Sequence, residues 1–241
     1  MKRFVQAATS HVRKFCCVFS SLLLLSQPLL AAVNVNATRV VFDNGVQHKS
    51  LKLVNDGDQP MLVQSWIDDG AAHSTPDRAN PAFVVLPPVL KLLPGEQREI
   101  RLMGSGVGLP TDRESLLWLN LYQIAPESPA ASGAEKVRFA LRTQLKVLWR
   151  PKTVPRLDLS SMNMLEFMRV SSDIYVVNKT KWNITLTDLV IEGYSSDGVV
   201  VAPGGKQAIF TLKSPVAINN KIDFAVINDD GNKWGLSASI K

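Results

Sequence analysis

Between Glu135 and Arg150 the chain reads EKVRFALRTQLKVLWR. Val137, Phe139, Leu141, Leu145, Val147 and Trp149 share one parity, while Lys136, Arg138, Arg142, Lys146 and Arg150 share the other. A repeat of two belongs to a β-strand whose faces meet different surroundings, so the run predicts a single strand. At about 3.3 Å per residue it spans roughly 50 Å, whereas strands of globular domains run about 3 to 10 residues; one sheet does not cover both edges of such a strand throughout. Unpaired backbone groups beside large apolar side chains recruit other chains unless charge, proline or a bulge blunts them. Recruitment is therefore a candidate for the function itself.

Shorter alternating runs precede it at Val33–Phe42, Ser50–Asn55, Met61–Ile67, Phe83–Leu86, Gln97–Leu102 and Leu116–Ile124. Turn residues separate them at Asp43-Asn44-Gly45, Asp56-Gly57-Asp58, Pro94-Gly95 and Gly104-Ser105-Gly106. This is the rhythm of an all-β sandwich, and no amphipathic helix competes with it. Pro151 and Pro155 remove two backbone donors after Arg150 and favour an extended, stiff connector, which places a domain boundary there. A second β-rich unit follows, with strands expected at Ile174–Asn178, Asn183–Tyr194, Gln207–Leu212, Ile222–Asn228 and Lys233–Ile240. The domains expected are thus 32–150 and 151–241, with no evident internal repeat.

The first 31 of the 241 residues read as a secretory signal: a basic start with Lys2, Arg3, Arg13 and Lys14, an apolar stretch Phe15–Leu25, and a break at Ser26-Gln27-Pro28 before Leu30-Ala31. The apolar stretch is shorter than the roughly 18 to 20 residues of a membrane span, and no later run qualifies, so stable membrane insertion is not expected. Cleavage after Ala31 removes both cysteines, Cys16 and Cys17, leaving a fold held by core burial alone. It also removes four of the 27 basic residues, leaving 23 against 21 acids, which takes away the argument for nucleic-acid binding. An enzyme is disfavoured too. His48 and His73 are the only histidines left, with no cysteine, no Gly-x-Ser-x-Gly and no phosphate-binding glycine loop, so neither a metal nor another cofactor is expected. Asp229 and Asp230 lie in a turn-forming Asn-Asp-Asp-Gly.

The segments LPTDRESLLWLNLYQIAP (109–126) and LKVLWRP (145–151), with TRVVF (38–42), PPVLKLLPG (87–95) and INDDG (227–231), resemble the periplasmic pilus chaperones of the chaperone–usher pathway, the PapD-like family. The short stretch between Ile124 and Lys136 resembles its short-loop subclass. The resemblance implies two immunoglobulin-like sandwiches in an L shape, a periplasmic location, and two kinds of partner: pilin subunits, and an outer-membrane usher to which they are delivered. Departures from the pattern are Ala125 where a first proline is usual, Leu86 where threonine is common before Pro87, and no cysteine for the disulfide some members carry in the second domain.

Carried over residue by residue, the resemblance makes Arg39 and Lys146 the anchor for a subunit's terminal carboxylate. By spacing alone, an Arg and a Lys on separate strands are ordinary surface charges. Val137, Phe139 and Leu141 match the donor-strand hydrophobics that fill the groove left by a subunit's missing strand, although alternation alone fits a sandwich core equally. Lys146 has the opposite parity, so a bulge, a twist or the cleft must reconcile the two sets. Glu114, Arg150 and Asp229 match an interdomain salt-bridge network, and Leu62, Gln64, Pro87 and Arg101 a surface that docks on the usher. The alternative reading is a secreted two-domain immunoglobulin-like adhesin, to which sequons at Asn36, Asn178 and Asn183 would be suited.

Overall fold

The computed structural model describes residues 33–43, 45–125, 140–212, 217 and 219–241, and these form two β-sandwiches. The first contains β1 (Val33–Val35), β2 (Arg39–Phe42), β3 (His48–Asn55), β4 (Met61–Asp68), β5 (Phe83–Leu86), β6 (Val89–Leu92), β7 (Gln97–Gly104), β8 (Ser115–Ile124) and β9 (Ala140–Trp149). One sheet has the order β1-β3-β7-β5 and the other β2-β9-β8-β4-β6. Leu53, Val63, Leu92, Ile100, Leu102, Leu119 and Val147 fill the space between them, and Phe42, Phe83 and Trp149 close one end with ring centroids 5.5–5.8 Å apart.

The run Val33–Phe42, expected as one strand, changes sheets. β1 pairs antiparallel with β3, while β2 pairs parallel with β9 in the opposite sheet. The cause is legible in the side chains. Val33 is buried and Val35 and Ala37 pack against the core on odd positions, but Val40 and Phe42 are buried on even ones. A straight strand points only one parity inward, so the chain breaks at Asn36–Thr38 to bury both sets. Asn36 fixes the break: its N–H donates to the Lys52 carbonyl at 3.2 Å, and its Oδ1 accepts the Lys52 N–H at 3.0 Å.

The second sandwich contains β10 (Leu165–Val170), β11 (Asp173–Asn178), β12 (Ile184–Ile191), β13 (Tyr194–Ser196), β14 (Val199–Val201), β15 (Lys206–Thr211), β16 (Lys221–Ile227) and β17 (Lys233–Ser239). β10-β11-β15 packs against β13-β12-β16-β17, and β14 pairs with β12. The expected strand Asn183–Tyr194 is instead a hairpin, because Glu192 and Gly193 at φ 47° and 80° turn the chain back. The connector is fastened rather than free. Val154 is wholly buried in the second core, the Trp182 indole donates to the Pro155 carbonyl at 3.0 Å, and Thr153 Oγ1 donates to the Thr111 carbonyl of the first sandwich.

An internal repeat does exist, in one corner of each sandwich. Asn55 ends β3 and Asn178 ends β11, both fully buried. Asn55 Nδ2 donates to the Gln59 and Leu92 carbonyls and its Oδ1 accepts Gly57 N–H; Asn178 Nδ2 donates to the Trp182 and Val201 carbonyls and its Oδ1 accepts Thr180 N–H. Their own carbonyls accept Gly95 N–H and Gly204 N–H from matching Pro-Gly turns, each at 2.8 Å. Fully satisfied buried amides of this kind specify a unique corner.

Candidate functional site

β9 is hydrogen-bonded to β8 along its whole described length, from Ala140↔Ile124 to Trp149↔Ser115, with no shift of register. Among the described residues its other edge is paired only at Lys146–Trp149, by β2. Among the described residues, Ala140–Leu145 therefore present an unpaired edge that begins where Arg39 and Lys146 stand in register. The sheet change of the first strand leaves this edge open, since a straight continuation of β2 would have run along it.

Without a bulge in β9, parity holds. Leu141 shares the face of Leu145, Val147 and Trp149 but is 47% exposed, while Lys146 points away from the core. Val137 and Phe139 lie outside the described residues. On the outward face Asp68, Trp118, Lys146 and Arg39 form one row across four neighbouring strands. The Lys146 ammonium lies 5.6 Å from the centre of the Trp118 ring. Burial, and then the neighbouring Arg39, pull the Lys146 ammonium below its ordinary pKa. Burial likewise lowers that of Arg39, against the opposing influence of Asp229 and Glu114. Two cations held side by side and partly dehydrated form a site that an anion relieves.

Glu114, Arg150 and Asp229 meet at the junction of the sandwiches. Arg150 is 1% exposed and donates from Nε and Nη2 to Glu114 Oε2 at 2.9 and 2.6 Å, and from Nη1 and Nη2 to Asp229 at 2.8 and 2.9 Å. Glu114 Oε1 accepts from Asn183 N and Nδ2, and Glu114 N–H donates to the Lys181 carbonyl, so residues of both sandwiches share the network. Burial pushes the Glu114 carboxyl up, opposed by Arg150 and Asn183. Beside this network Arg156 lies 3.8–3.9 Å from Asp43, Asp229 and Asp230. These residues line a cavity of about 320 Å³ with Arg39 and Lys49.

A second polar cluster on the outward face was not anticipated. Asp68, its side chain 1% exposed, accepts from Trp66 Nε1 at 2.7 Å, Asn120 Nδ2 at 2.7 Å and Gly70 N–H at 2.8 Å. Burial works against its ionisation, and the hydrogen bonds outweigh it, so the carboxyl sits below the usual carboxylate range. Arg142 donates to Asn120 Oδ1 at 2.8 Å and to the Ala72 carbonyl at 2.8 Å, and its guanidinium lies 5.3 Å from the centre of the Trp66 ring. Gln144 donates to Asn120 Oδ1 as well. The polar parity of β9, which looks like a solvated face in the sequence, is thus built into the sheet at Arg142 and Gln144.

Leu62 and Gln64 lie on β4 in register with Lys91 and Val89 of β6. Pro87, joined to Leu86 by a cis peptide bond, carries the chain from β5 to β6, and Arg101 is in register with Leu86. The four residues therefore follow one continuous path along an edge of the first sandwich, with Leu62, Leu86 and Val89 39–45% exposed. Among the described residues there is no cluster of three His, Cys, Asp or Glu side chains able to hold a metal, and no helix long and apolar enough to cross a membrane.

Comparison with known proteins identifies the family of both sandwiches. Residues 32–155 match the family model described as "Pili and flagellar-assembly chaperone, PapD N-terminal domain", and residues 160–236 match "Pili assembly chaperone PapD, C-terminal domain". The chain is 30% identical over 221 residues to a probable fimbrial chaperone, LpfB, of Escherichia coli O157:H7, covering 91% of this chain and 93% of that one. It is 29% identical to the chaperone protein MrkB of Klebsiella pneumoniae over 94% and 97% of the two chains. The crystal structure of the Pseudomonas aeruginosa CupB2 chaperone superposes with a TM-score of 0.72 at 27% identity, over 86% of this chain and all of that one.

Proposed function

Because the chain belongs to the PapD-like family of pilus-assembly chaperones, with its two immunoglobulin-like domains, we propose that it holds pilin subunits in the periplasm by lending them the open edge of β9 and releases them at an outer-membrane usher. The observation that carries this reading is the edge Ala140–Leu145, unpaired among the described residues and ending at the Arg39–Lys146 pair. A subunit strand laid along that edge in line with β2 ends at Arg39, and its terminal carboxylate meets both cations there. This explains the parity: apolar side chains of β9 on the core side enter the subunit's groove, while the anchor is reached from the outward face. β-Strand addition of this kind is a recognition mode for which chaperone–pilin complexes are themselves a known example.

Val137, Phe139 and Leu141 would bury themselves in the subunit. Three such side chains contribute on the order of 5 to 8 kcal/mol before ordering costs, while backbone hydrogen bonds give affinity without reading sequence. No nucleotide enters: release comes from exchange of β9 for the extension of the next subunit. Glu114, Arg150 and Asp229 hold the two sandwiches at the angle that shapes the cleft, and the path through Leu62, Gln64, Pro87 and Arg101 meets the usher. The first 31 residues act as the export signal. The adhesin reading loses its sequons at Asn178 and Asn183, whose buried side chains are committed to the corner and to Glu114.

Co-expression with a pilin subunit tests the anchor. Arg39→Ala and Lys146→Ala are expected to melt like the wild type yet leave the subunit degraded in the periplasm. Recovery of intact subunit with either variant would remove the anchor from the mechanism.

A further inference from the structure

Taking Arg39 and Lys146 as the carboxylate anchor, we infer that the turn between β16 and β17 is part of that anchor and that Asp229 positions Arg39 through it. Arg39 projects from the first sandwich, but its guanidinium donates from Nη1 to the carbonyl of Ile227 in the second, at 3.2 Å. Among the described residues its Nε is buried without a hydrogen-bond partner. Ile227 is the last residue of β16, and the turn after it is tightly specified. Asn228 Oδ1 accepts the N–H groups of Asp230 and Asn232, and the Asn228 carbonyl accepts Gly231 N–H. Two contacts fix this turn against the first sandwich. Asp229 grips Arg150 through both carboxylate oxygens, and Gly231, at φ 83°, lies so close to Thr38 that a Cβ would stand 2.8 Å from Thr38 Oγ1.

The two cations therefore depend on different parts of the molecule. Lys146 is set by the β8–β9 ladder and rests on Trp118, entirely within the first sandwich. Among the described residues the Arg39 guanidinium donates across the junction, to Ile227, and the position of that carbonyl is fixed by Asp229 and Gly231. The interdomain network thus does more than set an angle: it delivers a backbone acceptor that occupies one side of the guanidinium and turns the rest toward the incoming carboxylate. Asp229 is a positioning residue here, acting on the ligand through Ile227 and Arg39.

The test compares a synthetic peptide bearing the last residues of a pilin subunit with a free carboxylate against the same peptide as its C-terminal amide. Both are titrated into the purified chain and its variants, with thermal melts to verify folding. The wild type is expected to prefer the carboxylate form. Asp229→Asn, and independently Gly231→Ala, which leaves every charge in place, should each cut that preference about tenfold, the order of one charge-assisted hydrogen bond, with the loss falling mainly on the carboxylate form. Equal weakening of both forms would mean a structural role only. A preference unchanged or increased in Asp229→Asn would overturn the coupling. If Arg39→Ala loses the preference while both turn variants keep it, the turn is dispensable and the anchor stands. If the wild type shows no preference, the anchor reading fails and the coupling with it.

Discussion

Replacing Arg150 with methionine keeps most of the side-chain volume and removes only the charge and its donors. Arg150 is 1% exposed, the Glu114 side chain 0% and that of Asp229 8%. Removing one member of a buried ion pair costs roughly 3 to 5 kcal/mol, because the partner stays buried and uncompensated. Here both carboxylates keep something. Glu114 retains the two Asn183 donors, and Asp229 retains Arg156 at 3.9 Å, which at 61% exposure is worth little. The expected loss is therefore near the lower end, about 3 kcal/mol, measured by urea unfolding followed through tryptophan fluorescence. Because the network joins the two sandwiches, the loss should fall on their coupling and split one transition into two. The pH dependence has a definite sign. Arg150 restrains the burial-driven rise of the Glu114 pKa, so its removal raises that pKa further. A carboxyl whose folded pKa exceeds its unfolded value stabilises below the unfolded pKa and loses that contribution as pH rises through the folded one. The deficit of Arg150→Met should accordingly be larger at pH 8 than at pH 5, and adding Glu114→Gln should erase most of that difference. A loss under about 1 kcal/mol at pH 8, or a deficit that grows in acid, would refute this account.

Gly70→Ala should destabilise the first sandwich by more than about 1 kcal/mol and shift tryptophan fluorescence, since φ is 87° and a Cβ would stand 2.2 Å from Trp118 Cδ1; an unaltered melt and spectrum would contradict the packing described. Hydrogen exchange along Ala140–Leu145 should be fast at alternate amides in the free chain and slow at all of them in a subunit complex. Uniform protection before any subunit is added would mean that the edge is already covered.

Much of the fold was legible because period-two alternation survives wherever one face of a strand is buried. Phe83–Leu86 matches β5 residue for residue, and the Gln97 start of β7 is the predicted one. The failures have physical causes. Val33–Phe42 looked continuous because the change of parity at Ala37–Val40 is a single-residue slip in a run that alternates on either side of it. β6 went unseen between Pro87-Pro88 and Pro94-Gly95, where turn residues at both ends leave too little room for an alternating run beyond the 4 residues of the strand itself. Glu192 adopts a left-handed conformation that nothing in its side chain requires, so the hairpin at β13 was missed. Of the site, the cations and the Glu114–Arg150–Asp229 set were reachable only through family resemblance, since charge spacing does not reveal which strands become neighbours. The Asp68–Arg142 cluster stayed hidden for the converse reason: a charge on the polar parity of a strand looks the same whether water or another side chain surrounds it.

The slip of parity in the leading strand has a competitive consequence. A segment already tethered beside a vacant site acts at an effective concentration in the millimolar range, ahead of any visitor arriving by diffusion. Residues 33–38 would match 140–145 one for one if they continued the ladder of β2. They would then turn Asn34 and Asn36 inward and strand Val33, Val35 and Ala37 in water, so the nearest rival for the berth is disqualified by its own side chains. Among the described residues the opening beside Ala140–Leu145 is thereby written into residues 33–38, far away in sequence.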